Sequence, residues 1–260
     1  MNKEWKTIIN SIKSWIIEAG KEQVAKLEKT VSFSEKSAAI DLVTEVDIWT
    51  EKYLIDKIQS TYPTHSILSE ETGSHEGSEG YQWVIDPIDG TTNYAHGFPF
   101  FCISVGVKYN GETIIGVVYA PKLNDLYLAV KGQGAYVNDR SLAVSNRNEL
   151  HQALVGTGFP YDRATNPENN LDHFVNIVTK IRGVRRTGSA ALDLCQVAAG
   201  RFDGFWEFGL HEWDFAAGRL MIEEAGGRTR AVPKERGYYV LAGNHAIFHK
   251  LDDLIHDTYK

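Results

Sequence analysis

The sequence predicts a mixed α/β chain, an α+β first half followed by an α/β second half. Three observations predict it. Apolar residues recur at helical spacing near the N-terminus, short apolar stretches broken by turn residues follow up to about residue 140, and strand-like and helix-like stretches alternate regularly beyond that point. No low-complexity linker or internal repeat divides the chain, so residues 1–260 read as one unit with approximate halves 1–140 and 141–260.

Trp5, Ile8, Ile9, Ile12, Trp15, Ile16 and Ala19 mark one face of a first helix that continues through Val24 and Leu27. Lys, Ser and Asn interrupt that face, which excludes a signal peptide or membrane span and makes the cytoplasm the expected location. Thr44-Glu45-Val46-Asp47 has the form of a capping box opening a second helix, with Ile48, Leu54, Ile55 and Ile58 on its apolar side and Pro63 as its end. Residues 66–69 and 82–85 read as short strands, and Pro87 is expected to stop the ladder just after Asp86. Residues 100–109 and 112–119 form a hairpin across Asn110-Gly111, a strong short-range turn signal. Residues 126–130 add a strand before the Gly-rich turn at 131–134. In the second half, residues 153–156 are a strand, 171–181 a helix, and 190–199 a helix stopped by Gly200. A strand at 202–208, a helix at 214–225 ahead of Gly226-Gly227, a strand at 238–242 and a helix from about 245 to 257 complete the chain.

Composition excludes several functions. Lys and Arg total 27 against 34 Asp and Glu, a formal net charge of -7, so neither nucleic acid nor an anionic membrane is the expected main partner. Cys102 and Cys195 are the two cysteines and stand far apart, which argues against a disulfide framework, a CxxC redox pair and a thiolate zinc site.

The densest chemistry lies at Asp86-Pro87-Ile88-Asp89-Gly90-Thr91-Thr92-Asn93. Two carboxylates three residues apart at a strand end can address one small volume, although Asp-Pro and Asp-Gly are also ordinary turn formers. The Gly-Thr-Thr that follows offers backbone N–H groups and hydroxyls to an anion. Acids beside an anion cradle suit a hard cation bridging protein and phosphate. Ser69-Glu70-Glu71 places further carboxylates at a strand end, where a solvated pair is the simpler reading of that segment alone. Asp214, taken alone, reads first as the N-cap of the helix that follows it, and His211 as an ordinary polar residue.

Taken together these segments resemble the inositol monophosphatase family. Residues 86–93 are similar to its first signature, and Trp213-Asp214-Phe215-Ala216-Ala217-Gly218 with Glu224-Ala225-Gly226-Gly227 to its second. Lys36, residues 41–47, Ser69-Glu70-Glu71 and Gly188-Ser189-Ala190 extend the resemblance over nearly the whole chain. It implies a layered α-β-α-β-α sandwich of the sugar phosphatase type, paired as a homodimer. It implies Mg²⁺, two or three ions per site, held by Glu70, Asp86, the carbonyl of Ile88, Asp89 and Asp214. Thr91 matches the residue that orients and activates the attacking water, Asp47 the acid bonded to it, and Glu70 shares in catalysis. Gly90 and Thr92 fall where backbone N–H groups hold the phosphate, while Ala190 and Glu207 match contacts to sugar or cyclitol hydroxyls. Asp89, Thr91 and Asp214 border the same substrate volume, and Glu71, Lys36 and His211 lie in supporting positions.

The implied reaction is hydrolysis of a small-molecule phosphate monoester by water in line, without a phosphoenzyme. Myo-inositol 1-phosphate is the expected substrate, since the surroundings of Glu207 resemble that branch; fructose 1,6-bisphosphate, NADP and nucleotides remain alternatives. Lithium sensitivity is a family expectation. The Gly/Ser-rich stretch 72–80 reads as a mobile loop near the site that could admit larger substrates. A different class of role, a non-catalytic accessory factor in a transcription complex, also stays open, because some bacterial relatives serve in that way.

Overall fold

The computed structural model describes residues 2–27, 33–35 and 42–257. The first half runs α1 (Lys3–Leu27), β1 (Phe33–Glu35), β2 (Leu42–Thr44), α2 (Glu45–Thr61), β3 (Ser66–Ser69), β4 (Gly73–His75), β5 (Tyr81–Asp89), α3 (Thr91–Ala95), β6 (Cys102–Tyr109), β7 (Glu112–Ala120), β8 (Asp125–Val130), β9 (Gly134–Val137) and β10 (Arg140–Ser141). The second runs β11 (Leu154–Thr157), α4 (Leu171–Val178), β12 (Gly183–Arg185), α5 (Ala190–Ala198), β13 (Gly204–Leu210), α6 (Glu212–Glu224), β14 (Arg228–Lys234), β15 (Gly237–Gly243) and α7 (His245–Asp257).

These elements form two large sheets and three helical layers. An eight-stranded sheet has the order β10-β9-β8-β7-β6-β5-β3-β4, and a five-stranded sheet the order β12-β11-β13-β15-β14. α1 and α2 cover the outer face of the larger sheet through Ile8, Ile12, Ile16, Leu54 and Ile58 against Trp83, Ile85, Val105 and Val117. α5 and α6 fill the space between the sheets, and α4 and α7 cover the outer face of the smaller one. The fold is therefore the layered α-β-α-β-α arrangement. No helix among the described residues is long and apolar enough to cross a membrane.

The pleat of β6 and β7 explains the close packing at the centre. Ile103, Val105 and Val107, with Ile115 and Val117, face α1 and α2. Gly106 and Gly116 face the other way and let α6 approach. A Cβ on Gly116 would lie 2.7 Å from the carbonyl oxygen of Ala217, and one on Gly106 would lie 3.1 Å from the Ala216 methyl. That approach sets how deeply the N-terminus of α6, carrying Asp214, reaches toward the first sheet.

Several expectations need correction. Pro87 does not end the ladder: β5 runs on to Asp89, which pairs with Cys102 after a register shift between Asp86 and Asp89. The proline sits in that bulge, where no ladder N–H is needed. Ile48 is 58% exposed rather than on the core side of α2. The buried face there carries Val46, Asp47, Thr50 and Glu51 instead. Residues 72–80 are not wholly loop, because β4 pairs antiparallel with β3. α4 stops at Val178, and α6 starts at Glu212. Lys36 and Asp41 lie outside the described residues.

Candidate active site

β5 delivers Asp86 and Asp89 to the end of the larger sheet, and the bulge lets both carboxylates turn to the same side. Asp214 arrives on the first turn of α6, so that carboxylate oxygens of Asp86, Asp89 and Asp214 all lie within 4.8 Å of one another. Asp214 is not the N-cap. His211 holds that position, and its backbone N–H donates to Asp214 Oδ2 at 2.6 Å. The His211 ring stacks on Trp213 with centroids 4.7 Å apart, and partial desolvation of the imidazole there lowers its pKa.

Asp89 joins the two halves of the chain. Ser189 Oγ donates to its Oδ2 at 2.6 Å, Ala191 N–H to the same oxygen at 2.7 Å, and Ala190 N–H to Oδ1 at 3.3 Å. The carboxylate thus caps the start of α5, with the positive end of the helix opposing its own burial. Burial dominates, and Asp89 is pushed up to about 6. Asp86 lacks such help. Burial, then the charges of Glu70, Asp89, Asp214 and Asp47, raise its pKa well above the carboxylate range. Its Oδ1 is buried with no hydrogen-bond partner among the described residues. Asp214 is likewise raised well above its usual value, first by burial and then by Asp89.

Glu70 follows β3 and is half-buried, and its charge contributes to the raised pKa values of Asp86, Asp89, Asp214 and Asp47. Its backbone N–H donates to Ile85 O at 3.3 Å, level with the residue before Asp86. Glu71 comes next on the chain, with its N–H bonded to Glu51 at 2.9 Å.

Thr91 opens α3, and its hydroxyl donates to Asp47 Oδ1 at 2.9 Å, with Ile88 O a second acceptor at 3.0 Å. Asp47 is doubly used. Its Oδ2 accepts from the Thr44 N–H at 2.9 Å and from the Thr44 hydroxyl, closing the capping box of α2. Burial raises Asp47 to about 6 against these bonds. Gly90 takes φ 97°, and a Cβ there would lie 3.1 Å from both Gly188 O and Phe100 O. Thr92 is exposed on the same turn.

On the far side, Ala190 begins α5, with its N–H committed to Asp89. Glu207 lies on β13, its carboxyl against Gly158, where a Cβ would stand 1.9 Å from Oε1. Burial pushes Glu207 up to about 8, Arg186 opposing and Asp89 adding to the rise. Ser189 and Glu51 were not read as site residues. Only Glu51 had a local signal, standing one helical turn after Asp47.

This arrangement fits a hard divalent cation. The donors are all oxygens, the carboxylates crowd one small volume, and the buried Asp86 Oδ1 has no hydrogen-bond partner among the described residues.

The comparisons agree with the geometry. The profile of the Inositol monophosphatase family matches residues 4–258. A protein of Pseudomonas aeruginosa named Nus factor SuhB is 46% identical over 230 residues, covering 85% of this chain and 84% of that protein. Its Escherichia coli (strain K12) counterpart of the same name is 47% identical over 209 residues, covering 78% of this chain and 76% of that one. The structure of an inositol monophosphatase from Anabaena (Nostoc) sp. PCC 7120 superposes with a TM-score of 0.88 at 38% identity, covering 98% of this chain and 97% of that one. With the profile spanning nearly every residue and the carboxylates of the signature segments gathered at one point, the chain belongs to the inositol monophosphatase family.

Proposed function

We propose that the chain is a Mg²⁺-dependent phosphomonoesterase acting on a small polyol phosphate, with myo-inositol 1-phosphate its expected substrate. The observation that carries this reading is the buried, unpartnered Asp86 Oδ1 within the Asp86–Asp89–Asp214 group. Glu70, Asp86, Ile88 O, Asp89 and Asp214 would hold two or three Mg²⁺ ions. Bound there, Mg²⁺ supplies the Lewis acidity that makes water nucleophilic at neutral pH and offsets charge on the phosphoryl and leaving oxygens.

The chain's own residues do the positioning. Thr91 Oγ1 donates its hydrogen bond to Asp47, so its lone pairs are left to accept from a water on the site side and aim it at phosphorus. Asp47 can serve this way because the capping box fixes its carboxylate. Backbone N–H groups at Gly90 and Thr92 would bind phosphoryl oxygens, and Glu207 with Ala190 would meet the hydroxyls of the polyol. A cytoplasmic homodimer is part of the same reading.

A second reading is favoured by the names of the curated relatives: an accessory protein within a transcription complex. Those names weigh toward this binding role more than toward a narrow inositol phosphatase, while the carboxylate group weighs toward hydrolysis. One experiment separates them. Phosphate release from inositol 1-phosphate, fructose 1,6-bisphosphate and NADP is compared by kcat/KM in wild type and Asp86→Asn. Hydrolysis that needs Mg²⁺ and vanishes in the variant supports the enzyme. Wild-type protein inactive on the whole panel overturns it, and a transcription complex that retains the variant supports the second reading.

A further inference from the structure

We infer that Glu51 is a positioning residue that sets Glu70 in place, an inference that rests on the phosphatase reading above. Glu51 lies on α2, one turn beyond Asp47, and only 1% of it is exposed. Its Oε2 accepts from the Ser69 hydroxyl and from the Glu71 N–H, the latter at 2.9 Å. A single carboxylate oxygen thus grips the residues on both sides of Glu70. The third fixed point is the Glu70 N–H itself, which donates to Ile85 O. β3 pairs parallel with β5 and ends with Ser69 opposite Ile85, so the clasp holds Glu70 where the chain leaves the sheet beside Asp86.

The burial of Glu51 argues that the clasp has a purpose. Its Oε1 is sealed without a hydrogen-bond partner among the described residues, a costly state for a carboxylate oxygen. What the acid adds is an acceptor oxygen shared by two donors that flank a candidate ligand, and those two hydrogen bonds fix the chain on either side of it. α2 therefore serves the site twice from one face: Asp47 aims Thr91, and one turn later Glu51 aims Glu70. Both side chains stand on a rigid helix, which fixes positions more tightly than a loop would.

The test measures Mn²⁺ binding by electron paramagnetic resonance and backbone amide exchange at Glu71 by NMR, on the full chain. Glu51→Ala should weaken Mn²⁺ binding by about 10-fold or more, the scale of lost support behind a ligand. It should also speed Glu71 exchange in the metal-free protein. Glu51→Gln keeps an acceptor oxygen on the same stem and should restore most of both. Ser69→Ala, which spares the fold should Glu51→Ala not, should show a smaller loss of the same kind. Wild-type Mn²⁺ affinity in both Glu51→Ala and Ser69→Ala would overturn the clasp, as would a Glu51→Gln variant as weak as Glu51→Ala, since charge rather than hydrogen bonding would then matter. A wild-type chain that binds no Mn²⁺ would instead overturn the phosphatase reading beneath it, a result read before any variant is made.

Discussion

Replacing Asp86 with Asn should make the metal-free protein more stable while removing its response to Mg²⁺. With carboxylate oxygens within 4.8 Å of one another, each fully charged pair repels by about 3.5 kcal/mol or more at an effective dielectric near 20. Part of that strain is already relieved by proton uptake, as the raised pKa of Asp86 indicates, so the gain left for the substitution is roughly 1–3 kcal/mol. The amide adds a second benefit, since its NH₂ can donate to Asp89 or Asp214, where the carboxylate could only repel. For a chain of this size, each kcal/mol moves Tm by roughly 2–4 °C. Wild type should in turn gain about 2.7 kcal/mol when Mg²⁺ is present at 100 times its Kd, and the variant almost none. Differential scanning calorimetry at pH 7.5, in EDTA and then in excess Mg²⁺, reads both effects. A variant that melts below wild type in EDTA, or that gains as much from Mg²⁺, would refute the electrostatic account of the cluster.

Three further outcomes are expected. Thr91→Ala should lower kcat for phosphate release by roughly 100-fold or more while barely changing Mg²⁺ affinity, the signature of a proton-handling group; equal losses would show that Thr91 mainly builds the site. Glu207 is an acid whose folded pKa is raised from 4.5 to about 8, so the folded state holds its proton across that window and stability falls as pH rises through it. Metal-free Glu207→Gln should therefore lose less stability than wild type between those values in urea titrations, and parallel curves would remove the assignment. Gly116→Ala should destabilise by about 1–3 kcal/mol through overpacking against Ala217, seen as a lower urea midpoint, and an unchanged midpoint would show that α6 can yield.

The parts of this fold that were legible in the sequence are those whose local and tertiary preferences agree. The spacing from Trp5 to Leu27 gives α1, and Asn110-Gly111 gives the β6–β7 turn, both residues taking positive φ at 50° and 84°. Ile48 misleads because the core side of α2 is partly polar: Asp47 bonds Thr44 and Thr91, Glu51 bonds Ser69 and Glu71, and Thr50 accepts from Gln23 of α1. A hydrophobic stripe cannot report a face built for hydrogen bonds. β5 outran its expected end because Pro87 occupies a bulge, with its carbonyl taken by Gln23, 64 residues away in sequence. β14 was missed because an edge strand reading Arg228-Thr229-Arg230 and containing Pro233 lacks the apolar alternation of a central one. In the candidate site, Asp86 and Asp89 were visible as a strand-end pair, and the family resemblance added Glu70, Thr91 and Asp214. The bond from Ser189 to Asp89 spans 100 residues, and no local pattern could announce it.

The location of the cluster bears on how the two proposed roles can be told apart. Asp86 and Asp89 belong to the larger sheet, and α5 and α6 lie between the sheets, so the like charges sit on the seam that holds the halves together. Most variants aimed at such a seam would weaken it, and a lost interaction with a partner could then be blamed on unfolding. Asp86→Asn is different because it removes repulsion from the seam and leaves untouched the hydrogen bonds that Asp89 makes to Ser189 and Ala191. The chain should stay folded, with its outer surfaces intact, while hydrolysis is lost. Any partner that still binds this variant is recognising the surface rather than the chemistry, and any partner that departs with the activity depends on the occupied site.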